Sequence, residues 1–326
     1  MDFSIFYKEE LPFNEQWDIQ WDLFIAAYNP SNRCKSLFDK VKADSIYSIL
    51  LPEYEFEFSE VPNDYGNIKY FKTKRSSEKI LVENFFGFIN QNLAELKICL
   101  DMTGFMRPQY MYILKYLYDR NIKRFDVLYA EPLEYKNKEN TMFSDEYLEE
   151  IRQVNGYEGN HLVGNTNELL IVGSGYDHKL IRGVCDNKKN AEVIQIYGFP
   201  SLKADMIQQN ILRAYKAIYE ISNVYNYDDE EIFWINPNIY YAPANDPFVT
   251  ANLLDKIIEK NEKSSERLNI YLSPLSSKPQ TLGFALYYLW NCINKPISII
   301  FPIPERYERE TTKGIARIWK YTIEFP

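Results

Sequence analysis

The chain has 326 residues, 46% of them hydrophobic and 25% charged, with a net charge of −9. That length allows one large or two ordinary domains, and the composition is that of a globular protein. The acidic balance argues against broad, non-specific nucleic-acid binding, and no stretch approaches the roughly 20 apolar residues of a membrane-spanning helix.

Met1-Asp2-Phe3-Ser4 lacks the basic start and long apolar run of a secretory leader, so a cytoplasmic location without membrane association is expected. Cys34, Cys99, Cys185 and Cys292 make no C-x-x-C and read as buried free thiols in a reducing compartment. His161 and His178 have no cysteine nearby, so no metal or other cofactor is expected.

In chain order, residues 1–20 are aromatic and read as irregular. Residues 22–28 form a short apolar run closed by the turn Asn29-Pro30-Ser31-Asn32, and residues 33–42 have helical spacing. Residues 45–51 are β-prone and stop at Pro52, whereas 53–75 carry no assignable pattern. Residues 76–96 read as a helix with Ile80, Leu81, Phe85, Phe88, Ile89 and Leu93 near one face. The apolar run 96–100 leads into Asp101-Met102-Thr103-Gly104-Phe105-Met106-Arg107-Pro108-Gln109, which reads as a strand, a tight loop and a helix whose first residue is a proline. Residues 125–129 are the next strand, and the charged stretch 133–166 reads as a linker or lid. A second series follows, with strands at 169–172, 193–197, within 232–241, 269–272 and 297–301. Helical patterns at 179–187, 202–221, 248–260 and 280–292 lie between them, and residues 316–325 alternate like a closing strand.

This alternation predicts an α/β fold of two Rossmann-like lobes with mostly parallel sheets. The lobes are expected at 1–140 and 167–326, with the linker or lid at 141–166. The two series also match each other. Arg107-Pro108-Gln109 corresponds to Lys278-Pro279-Gln280 at an offset of 171, and Pro132 and Tyr135 meet Pro304 and Tyr307 at 172. Residues 24–29 resemble 170–175 at 146, and the strands ending at Pro52 and Pro200 are offset by 148. Four matches in one order point to an internal duplication.

Ligands of open α/β sheets bind at the carboxyl ends of the strands. There Thr103 offers a hydroxyl, Gly104 close backbone approach and Arg107 a two-pronged grip on a phosphate or carboxylate. In the second copy Ser276, Ser277 and Lys278 supply the same functions. Turn formation and helix starts account for these residue types equally well. Ser174 and Tyr176 lie in the glycine-containing loop Gly173-Ser174-Gly175-Tyr176-Asp177-His178, which is neither a G-x-G-x-x-G nor a Walker loop. Asn245 precedes Asp246-Pro247, the pattern of an N-cap and first helical residue. Glu131, Asp177 and Glu305 are the candidate acid–base groups, and His178 a further base. Tyr135 and Tyr307 suit stacking on a base, and Arg306, Arg309, Arg152 and Lys313 suit closure over an anion. Solvated loops and ordinary packing are the plain alternatives.

Ser276-Ser277-Lys278-Pro279-Gln280-Thr281-Leu282-Gly283 resembles the ligand loop of CRISPR-associated Rossmann-fold (CARF) sensor domains, and the loop 101–107 resembles that family's other ligand loop. The family's Gly-Gly-Thr-Lys reads Leu275-Ser276-Ser277-Lys278 here. The resemblance implies a nucleotide sensor or adaptor in bacterial defence against phage, with cyclic oligoadenylate as the family's ligand and a homodimer as its usual assembly. Internal duplication supplies a paired pocket within one chain. The expected partner is therefore an anionic small molecule or nucleotide held between the lobes. A hydrolase or transferase acting on a nucleotide or phosphosugar is the enzymatic alternative. A protein-interaction subunit with an operon-encoded partner is the third.

Overall fold

Strand β2 (Gln20–Ala27) lies in the interior of a seven-stranded sheet, because its side chains are apolar on both faces and Trp21, Phe24 and Ile25 are fully buried. The computed structural model describes residues 7–56, 58–61, 67–135, 148–202, 206, 208, 211, 238–264, 268–304, 308–309 and 311–325. They fall into two units, one of residues 5–145 with 305–326 and one of residues 146–304. Among the described residues no helix is long and apolar enough to cross a membrane.

The first unit runs from β1 (Tyr7–Leu11) through β2, α1 (Asn32–Lys40), β3 (Lys42–Leu50), β4 (Ile68–Lys72), α2 (Glu78–Ile89), β5 (Ile98–Asp101), α3 (Arg107–Asp119) and β6 (Arg124–Tyr135). It is completed by β13 (Thr312–Glu324). The sheet order is β1-β13-β6-β5-β2-β3-β4, parallel from β6 to β4, with β13 antiparallel to β6 and β1 antiparallel to β13. Trp21, Phe24, Leu37, Leu128 and Ile318 share one core cluster. Buried polar groups lock β13 in register. Asp126 accepts from Trp21 Nε1 (2.9 Å) and Thr322 Oγ1 (2.8 Å), and Glu131 accepts from Trp319 Nε1 (2.8 Å).

The second unit begins with β7 (Leu148–Gln153), followed by β8 (Glu168–Ser174), α4 (His178–Asn187), β9 (Glu192–Gly198), β10 (Ile239–Ala242), α5 (Pro247–Ser264), β11 (Asn269–Pro274), α6 (Lys278–Asn291) and β12 (Ile297–Pro304). Its order is β10-β9-β8-β11-β12-β7, parallel except for β7 on β12. Numbered by appearance within each unit, the parallel strands of both sheets run 3-2-1-4-5, with an antiparallel strand added beside the fifth. The protein is thus built of two Rossmann-like lobes of one topology, as duplication produces.

The boundaries differ from those read in the sequence. Residues 148–153, placed in a linker or lid, form β7 of the second sheet. The closing strand, placed in the C-terminal lobe, pairs along β6 of the first sheet. Each sheet's sixth strand therefore follows the fifth strand of the other, a crossing that local periodicity does not encode. Residues 7–11, read as irregular, pair with β13, and the unassigned stretch 53–75 contains β4. Most of the helix read at 202–221 lies outside the described residues.

Candidate functional site

The 3-2-1-4-5 order puts a topological switch point between β2 and β5 in one sheet and between β8 and β11 in the other. At each, two strands send their chains to opposite faces, and the helices that follow start at the crevice. Those helices are α1 and α3 in the first unit and α4 and α6 in the second.

In the first unit the crevice loops are in backbone contact. A Cβ on Gly104 would overlap the carbonyl of Ala27, so no larger residue fits. Asn29 accepts from Ser31 N–H (2.9 Å) in an Asx turn, and its amide donates to Arg309 O (2.8 Å). Thr103 N–H donates to Asp101 Oδ1 (2.8 Å), and Thr103 Oγ1 accepts from Ala130 N–H (2.9 Å). The Thr103 hydroxyl oxygen, expected to serve a ligand, ties the loop after β5 to the middle of β6. Arg33 Nη1 donates to Ala130 O (2.8 Å) and its Nε to Thr312 Oγ1 (3.0 Å). Beneath lie the phenols of Tyr54, Tyr129 and Tyr135. Burial pushes all three up, and the positive charges of Arg33 and Arg107 pull each of them back. Both guanidiniums thus act on all three phenols.

In the second unit the same approach is made from the other loop, where a Cβ on Gly175 would overlap the carbonyl of Leu275. Ser174 Oγ and Tyr197 Oη both donate to Gln195 Oε1, at 2.9 and 2.8 Å. Tyr176 and Ser276 are buried at this edge. Ser277 is the N-cap of α6: its oxygen accepts from Gln280 N–H (3.3 Å), and its hydroxyl donates to Ala244 O. Its role is accordingly in the fold. Asn245 sits in the turn that this bond holds, next to Asp246, which accepts from Phe248 and Val249 N–H at 3.1 Å.

The candidate acids are placed as follows. Glu131 is 2% exposed and held by Trp319. Asp177 caps α4 through Leu180 N–H at 3.3 Å. Glu305, with Arg306 and Tyr307, lies outside the described residues. Arg309 binds Glu60 (3.0 Å) and the carbonyl of Glu55 (2.6 Å), within the first unit.

One regularity joins the two crevices. Helix N-termini carry partial positive charge and favour acids in the first turn. All four crevice helices lack an acid there, and each has a base within its first two residues. These are Arg33 in α1, Arg107 in α3, His178 and Lys179 in α4, and Lys278 in α6. Helix α2, whose start is not at a switch point, also has a base there, Lys79, but pairs it with Glu78 in the same turn. Arg33 and Lys179 are separated by 146 positions, an offset already present in the repeat, so the sequence held the signal that would have found them.

Two features lie away from these loops. A groove lined by Phe86, Asn92, Tyr116 and Arg120 opens where α2 and α3 end, at the amino edge of the first sheet. His161 stacks on Tyr271 at 4.5 Å, with Nε2 2.8 Å from Ser298 Oγ. No family model matches the chain, and no curated protein is significantly similar to it.

Proposed function

We propose that the protein binds a nucleotide or other phosphorylated small molecule at the carboxyl edges of its sheets and acts as a sensor or adaptor. The supporting observation is the pairing of bases with helix N-termini at both switch points. A cation at a helix N-terminus is unfavourable by about 0.3–1 kcal/mol. In α4 the Asp177 cap offsets part of this cost, whereas α1, α3 and α6 have Ser31, Met106 and Ser277 as N-caps and no acid in the first turn, so a bound anion would offset it there. Backbone N–H groups and bases converging on one crevice suit a phosphate group.

Sensing is favoured over turnover because Glu131 and Asp177, the described acids nearest this chemistry, are committed to Trp319 and to the cap of α4. The resemblance of the 276–283 loop to CARF domains supports the same reading and a place in bacterial defence. Calorimetry with mono-, di- and cyclic nucleotides tests it. Saturable heat with a phosphorylated nucleoside and none with the uncharged nucleoside is expected. No heat with any phosphorylated compound at millimolar concentration would refute it.

A further inference from the structure

The third residue of each cation-Pro-Gln repeat carries a buried acceptor that nothing described satisfies. Gln109 is 6% exposed and Gln280 1% exposed. Gln109 Nε2 donates to Glu53 Oε1 at 2.8 Å, and Gln280 Nε2 donates to Ala242 O at 3.0 Å. A carbonyl can only accept, and so can an ionised carboxylate. These partners fix which way each amide is turned and leave Oε1 on the opposite side. Among the described residues neither Gln109 Oε1 nor Gln280 Oε1 has a hydrogen-bond partner, and the same holds for the buried Oε2 of Glu53. Buried polar atoms are nearly always satisfied, so each exception calls for an occupant. That two of them fall at repeated positions, in the first turns of α3 and α6, argues against accident.

The occupant must donate hydrogen bonds. It is neutral at this point, because the same neighbourhood holds Arg33 and Arg107, whose charges reach Tyr54 next to Glu53. Those two guanidiniums would repel an ammonium group. Burial raises the pKa of Glu53, while the Arg75 charge and the bond from Gln109 act to keep it ionised. Glu53 Oε2 and Gln109 Oε1, on two side chains joined by one hydrogen bond, each suit a hydroxyl donor.

We propose that Glu53 with Gln109, and Gln280 at the repeated position, accept hydrogen bonds from the hydroxyls of a sugar attached to the bound phosphate, so that the ligand is a pentose phosphate or nucleotide and not a bare anion. The inference rests on the phosphate reading above. A site built to hydrogen-bond a hydroxyl discriminates strongly against analogues that lack it.

The experiment is calorimetry on the full chain with inorganic phosphate, ribose 5-phosphate and 2-deoxyribose 5-phosphate. Ribose 5-phosphate is expected to bind about tenfold or more tightly than phosphate, with the deoxy sugar weaker than the ribose compound. In the Gln109→Met and Gln280→Met double variant the ratio of ribose 5-phosphate to phosphate affinity should fall towards one. If either substitution prevents folding, the comparison of sugars on the unaltered protein decides. Phosphate binding with no gain from ribose would overturn this inference, leave the phosphate reading standing and assign the acceptors to water. Absence of binding by all three probes would overturn both.

Discussion

Replacing Lys278 with glutamate reverses the charge at the first residue of α6, where the helix N-terminus is positive. Without ligand this exchanges an unfavourable placement for a favourable one. At about 0.3–1 kcal/mol for each charge, the gain is roughly 0.6–2 kcal/mol. For a unit of this size that raises the melting temperature by roughly 2–6 °C. With phosphate the sign reverses. Saturating the unaltered protein at a hundred times its dissociation constant adds about 2.7 kcal/mol, whereas the variant places a carboxylate where the anion would sit. Differential scanning calorimetry with and without phosphate reads both effects. A variant that melts below the unaltered protein without phosphate, yet keeps the full phosphate shift, would refute the reasoning.

Four further outcomes are expected. Gly104→Ala and Gly175→Ala each drive a methyl group into a backbone carbonyl that no rotamer can move, so each should cost about 2–3 kcal/mol, measured by urea unfolding. Trp319→Phe leaves the buried Glu131 carboxylate without its donor and should cost about 2–3 kcal/mol by the same method. Burial holds the pKa of Glu53 above its usual 4.5, so the folded state takes up this proton more readily than the unfolded chain. That contribution is most favourable below the unfolded value and lessens as pH rises through the folded one. Glu53→Gln should therefore stabilise the protein at neutral pH, and thermal melts should show the advantage shrinking towards pH 4.5. His161 is the opposite case, because burial lowers its pKa from 6.5. Its contribution is present above 6.5 and lost as pH falls through the lower folded value, and hydrogen exchange at β11 should quicken across that window in the unaltered protein more than in His161→Gln.

The two-lobed α/β fold was legible because each buried parallel strand is a short apolar run followed by a turn and an amphipathic helix. The repeated cation-Pro-Gln was legible because it is local. The reciprocal placement of β7 and β13 was not, since pairing between strands distant in sequence leaves no periodic trace. At the candidate site, Arg107, Lys278 and Gly104 stood out by residue type, and the fold places them in the loops and helix starts of the switch points. The structural bonds of Thr103 and Ser277 could not be read from the sequence, because a hydroxyl beside a ligand and one that caps a helix or ties two strands look alike in one dimension. Arg33, Glu53 and Gln109 did not stand out in the sequence, because what marks them is the atoms they face after folding.

The central claim, that paired bases and helix N-termini hold an anion at the switch points, is tested most directly by a crystal structure grown with adenosine monophosphate. The account predicts phosphate density within hydrogen-bonding reach of the first-turn N–H groups of α1 and α3, or of α4 and α6, with Arg33 and Arg107, or Lys179 and Lys278, turned towards it. Density for the nucleotide only at the amino edges of the sheets, or in the groove beside Phe86 and Tyr116, would contradict it.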